Sequence, residues 1–71
     1  MSFCYNKLRG KIKEMCGTNL KFAKLMGISN ASTSAKLNNK SEFSQSEIFK
    51  AAEILHLEHS EIPAYFFTLS V

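Results

Sequence analysis

Seventy-one residues, 45% hydrophobic and 21% charged, can build one modest core and are too apolar for a disordered chain. The net charge of +3 and the pI near 9.0 hide an asymmetry. Through Lys40 there are eight cations (Lys7, Arg9, Lys11, Lys13, Lys21, Lys24, Lys36, Lys40) against Glu14, a net +7; beyond it, Lys50 stands against Glu42, Glu47, Glu53, Glu58 and Glu61, a net −4. A basic half that meets phosphates and an acidic half that faces away would suit a one-sided polyanion binder, although ordinary solvated faces can segregate in the same way.

No repeat, low-complexity tract or Pro/Gly-rich linker divides the chain, which predicts one domain over residues 1–71. No signal-peptide pattern precedes Cys4 and Cys16, and no apolar run is long enough to span a membrane. The expectation is a cytoplasmic protein that does not engage membranes, with both thiols reduced. Asp and Trp are absent, no glycine-rich phosphate loop is present, and no nucleophile has a base and an orienting group beside it. These absences predict no enzymatic activity, no cofactor and no small-molecule substrate. His56 and His59 with the two cysteines do not have zinc-finger spacing, so no metal site is expected.

The elements follow in chain order. From Tyr5 to Cys16 the apolar residues Leu8, Ile12 and Met15 recur on one helical face, and Gly17 is suited to end that helix. Thr18 can cap a second helix that turns Phe22, Ala23 and Met26 one way and stops at Gly27. Ile28 then reads as a buried connector, and Ser29 can cap a third helix running to about Asn38. Helix three is dominated by small and polar residues that ordinarily disfavour helix interiors, so core packing alone does not account for its composition. Ser44 and Glu47 form a capping-box pattern opening a fourth helix. Its core stripe is Ile48, Ala51, Ala52 and Leu55, with Ile54 off the stripe and Phe49 at its flank. A short fifth helix is expected near Ser60 or Glu61, where Pro63 fits a first turn. The apolar Tyr65, Phe66, Phe67 and Leu69 that follow either cover the core or meet a second chain.

Two short helices joined at Gly27-Ile28-Ser29 form a helix-turn-helix layout within a compact all-α, five-helix domain. The run Thr18-Asn19-Leu20-Lys21-Phe22-Ala23-Lys24-Leu25-Met26-Gly27-Ile28-Ser29 resembles the phage Cro and repressor family, and so a lambda-repressor-like domain. Its capping hydroxyl, polar amide, apolar-Ala pair, turn glycine and Ile-Ser follow that family's order. Lys36-Leu37-Asn38-Asn39-Lys40, Phe43, Glu47-Ile48 and Ile62-Pro63-Ala64-Tyr65-Phe66-Phe67 are similar to the short firmicute-phage branch, so the resemblance covers nearly the whole chain.

The resemblance implies a transcriptional regulator that binds double-stranded operator DNA. Asn19 would meet a phosphate, Asn30, Ala31, Ser32 and Ser34 would face base edges, and Lys36, Asn38 and Lys40 would meet the backbone. Paired half-sites would call for a homodimer. Against the family pattern, Ala31 and Ala35 stand where Arg or Gln is common, and Thr33 where an apolar core residue is usual. The competing expectation is an antirepressor that binds a phage repressor's DNA-binding domain, with Phe49, Ile54, Tyr65, Phe66 and Phe67 as its partner surface.

Overall fold

The computed structural model describes residues 2–70 and contains five α-helices: α1 (Asn6–Cys16), α2 (Asn19–Met26), α3 (Asn30–Leu37), α4 (Gln45–Ile54) and α5 (Ile62–Phe66). A single 3₁₀ turn, His59–Glu61, leads into α5. The all-α, five-helix expectation is met. Among the described residues the only extended pairing is an isolated antiparallel bridge between Phe3 and Leu69.

Helices α2, α3 and α4 each start where a side chain satisfies an orphan backbone N–H. The Thr18 hydroxyl accepts from the Lys21 N–H, and the Ser29 hydroxyl accepts from the Ser32 N–H. At α4 the capping box closes both ways: the Glu47 N–H donates to the Ser44 hydroxyl, and the Ser44 N–H donates to the Glu47 carboxylate. Tyr5 precedes α1 without a side-chain cap.

Four helices end on a residue with positive φ, the first of them α1 at Gly17 (φ 86°). Gly27 (φ 76°) closes α2, and its freedom from a Cβ lets the chain turn at once into α3. Asn39 (φ 61°) and His56 (φ 56°) do the same after α3 and α4. There the Lys40 and Leu57 N–H groups donate back to the carbonyls of Ala35 and Ala52, the 6→1 bond of a Schellman ending.

The core gathers Leu8, Ile12, Phe22, Met26, Leu37, Ala51, Ala52, Leu55 and Phe66. Helix α1 buries Leu8, Ile12 and Cys16, whereas Met15, expected on that stripe, is 40% exposed. Spacing alone allows either flank of the stripe to close. The elements packed against α1, namely α2 and α5, close the Cys16 side. Ile28 is half-buried and packs against the core edge, so it is a less enclosed connector than expected. Ile48 is also only partly buried, leaving Ala51, Ala52 and Leu55 as the closed part of the α4 stripe.

Thr33 is fully buried, and its hydroxyl donates to the Ser29 carbonyl, so the polar residue at a core position is satisfied within its own helix. A cluster of edge-to-face aromatics, Tyr5 against Phe43 and Phe43 against Phe66, ties the N-terminal segment and the α3–α4 loop to α5.

Candidate functional site

Helices α2 and α3 pack directly on each other and set the surface of α3 outward. Asn30, Ala31, Ser32 and Ser34 are all exposed on it, Asn19 is exposed at the start of α2, and Lys40 is exposed just beyond the end of α3. Lys36 and Asn38 are not available in the way their positions suggested. The Lys36 ammonium folds back onto the next element, donating to the Glu42 carbonyl at 3.2 Å and pairing with the Glu47 carboxylate at 3.4 Å. Its side chain is only 14% exposed. The Asn38 amide oxygen accepts from the Arg9 guanidinium at 2.9 Å, while its NH₂ donates to the Ser34 hydroxyl. Arg9 donates as well to the Leu37 carbonyl at 2.8 Å, clamping the end of α3 to α1. Two groups expected to meet phosphates are therefore committed within the protein, and beyond Asn30 the exposed face of α3 is left with short side chains.

Glu47 is central to this arrangement. Its carboxyl is held below the usual carboxylate range, first by the Ser44 backbone N–H and then by Lys36, with partial burial opposing both. Sequence spacing identified the capping box but not the cation from α3 that completes it.

The aromatic surface divides. Tyr65 and Phe66 are buried, which corrects the expectation that they belong to a partner interface: both turn inward and close the core beside α1 and α4. The Lys7 ammonium lies 4.9 Å from the Tyr65 ring centroid, covering its outer side. Ile54 is half-buried and packs against the core, so it too offers little free surface. Phe49 and Phe67 are 54% and 51% exposed, and with Gln45, Ile48 and Ile62 they line a groove of about 310 Å³ between α4 and α5. Ile48 and Phe67 continue into a smaller cleft of about 80 Å³ lined also by Phe3, Tyr5, Glu42, Phe43 and Phe66.

Sequence reasoning missed Arg9 and Asn39. The Asn39 side chain acts as a mimic of a paired backbone: it accepts from the Phe3 N–H at 2.8 Å and donates to the Phe3 carbonyl at 2.9 Å. The other edge of the same segment meets the C-terminal stretch, where the Cys4 N–H donates to the Thr68 carbonyl and the Ser70 N–H to the Ser2 carbonyl. Cys4 and Cys16 are free thiols, and burial pushes the Cys16 thiol up from its ordinary value.

These features define a small five-helix domain in which α2 and α3 meet at a tight turn, with few long side chains on the exposed face of α3 and a separate apolar groove. The chain belongs to the DUF739 family of proteins of unknown function, whose profile matches residues 1–69. It is similar to the solution structure of the modulator of repression (MOR) of the temperate bacteriophage TP901-1 from Lactococcus lactis. The identity is 48% and the TM-score 0.82, over 94% of this chain and 90% of that one. No curated protein matches.

Membership of the Cro and repressor family, implied by the resemblance in the α2–α3 region, is thereby overturned. The physical reason is that a capping hydroxyl, an apolar-Ala pair and a turn glycine specify how two helices meet at a tight turn. They do not specify what the exposed side of the second helix carries.

Proposed function

We propose that this chain is a phage modulator of repression that acts by binding a phage repressor at its DNA-binding domain, in the cytoplasm of the bacterial host and within a lysis-lysogeny switch. The observation that carries this reading is the 48% identity to the TP901-1 modulator of repression over nearly the full length of both chains. The chemistry of α3 favours it over operator reading. Direct readout needs side chains long enough to reach base edges, typically Arg, Gln or Asn, and phosphate binding needs free cations. Here Ala31, Ser32 and Ser34 are short, Lys36 is paired with Glu47 and Asn38 is held by Arg9, which leaves Asn19, Asn30 and Lys40 as the longer exposed polar groups of the expected set.

The test is a calorimetric titration of the purified chain into the full-length repressor of the same phage, followed by addition of operator duplex. A stoichiometric complex that releases the repressor from its operator, with no operator binding by the chain alone, is the expected result. Salt-sensitive binding of the chain to the operator, with no repressor complex, would overturn the proposal.

A further inference from the structure

We propose that the groove between α4 and α5 is the docking site for the cationic, phosphate-binding face of the repressor's DNA-binding domain, with Phe49 and Phe67 as apolar anchors and carboxylates around them standing in for DNA phosphates. This inference rests on the modulator reading above.

The apolar part is the exposed pair Phe49 and Phe67 with Ile48 and Ile62 between them; Leu20 and Leu25 on α2 are as exposed but line no groove with them. Exposed aromatics in a groove are the residue type that dominates binding energy when a partner covers them. The polar part is charge. Glu53 lies one helical turn from Phe49 on the same face of α4, Glu61 immediately precedes Ile62, and Glu42 lines the cleft that continues the groove. Glu58 and His59 sit in the turn beside them, with the His59 ring against Phe49 at 5.4 Å.

Among the described residues, Glu42, Glu53, Glu58 and Glu61 form no ion pair, whereas Glu14 and Glu47 each have a lysine. The cation of α4 faces elsewhere: the Lys50 ammonium lies beside Gly27, at the α2–α3 turn. Glu53, Glu58 and Glu61 are thus carboxylates near the groove with no lysine or arginine paired to them, with Glu61 accepting from the Glu58 N–H, whereas at Glu42 the Lys36 ammonium sits on the backbone carbonyl.

A DNA-binding domain must present cations toward phosphates, so its operator-facing surface is the complement of such carboxylates. Occupation of that surface by this groove and operator binding would be mutually exclusive.

The experiment maps the interface by ¹⁵N chemical shifts of this chain during titration with unlabelled full-length repressor, alongside affinities of variants. The expected result is shifts centred on Gln45, Phe49, Glu53, Ile62 and Phe67. Phe49→Ala and Glu53→Lys should each weaken binding about tenfold or more, with Ala31→Arg on α3 leaving it unchanged. Both groove variants alter exposed side chains, and retained backbone shifts will verify that they fold. If the repressor binds but Ala31→Arg abolishes binding while the groove variants do not, the groove assignment is overturned and the modulator function stands. If the wild-type chain does not bind the repressor, or shifts only on addition of duplex DNA, both fall.

Discussion

At the residue scale, two positions show how local chemistry settles an ambiguity of type. Thr33 interrupts the apolar pattern of α3, yet its hydroxyl and its N–H both donate to the Ser29 carbonyl, so burial leaves no polar atom unsatisfied. Asn39 combines a backbone conformation that most residues avoid with two hydrogen bonds to Phe3. Asn39→Ala should lose both bonds and incur the positive-φ penalty, lowering unfolding free energy by about 2–3 kcal/mol. Asn39→Gly, which keeps the φ but not the bonds, should recover about 1 kcal/mol of that loss. Urea denaturation of the two variants separates the contributions, and equal losses in both would show that φ is not strained. Neither role was legible in the sequence, where Asn39 is one polar residue among several after a helix.

At the scale of elements, helix boundaries were legible because caps are local. Thr18, Ser29 and Ser44 each accept from the N–H three residues on, as their spacing predicts. What the spacing did not contain is the link between elements: Lys36 leaves α3 to pair with Glu47, the third residue of α4. Its consequence is a dependence on pH. The folded-state pKa of Glu47 lies below its unfolded value, so its contribution to stability is complete above the unfolded value. That contribution is lost as pH falls through the folded one. Thermal unfolding followed from about pH 6 to about pH 3 should show a smaller decrease in Tm for Glu47→Gln than for the wild type, because the variant carries no titrating group at this junction. Parallel decreases would mean that Glu47 is not coupled to folding.

For the whole molecule, the C-terminal aromatics are two different things. Phe66 is buried in the core and Phe67 is half exposed in the groove, although they are adjacent and chemically identical. Phe66→Ala should cost about 3–5 kcal/mol, a large share of what so small a domain can have, and Phe67→Ala less than about 1 kcal/mol. Circular dichroism melts of the pair test this, and similar melts would place both rings outside the core. By itself the sequence determined the helices, their caps, the tight α2–α3 turn and the all-α class, since these depend on residues within a few positions of one another. Only the tertiary structure decided that Cys16 rather than Met15 faces the core, that Lys36 and Asn38 are tied to Glu47 and Arg9, and that Phe49 and Phe67 are left in the open. Those outcomes depend on which distant element arrives at each face, and periodicity along one helix carries no information about its neighbours.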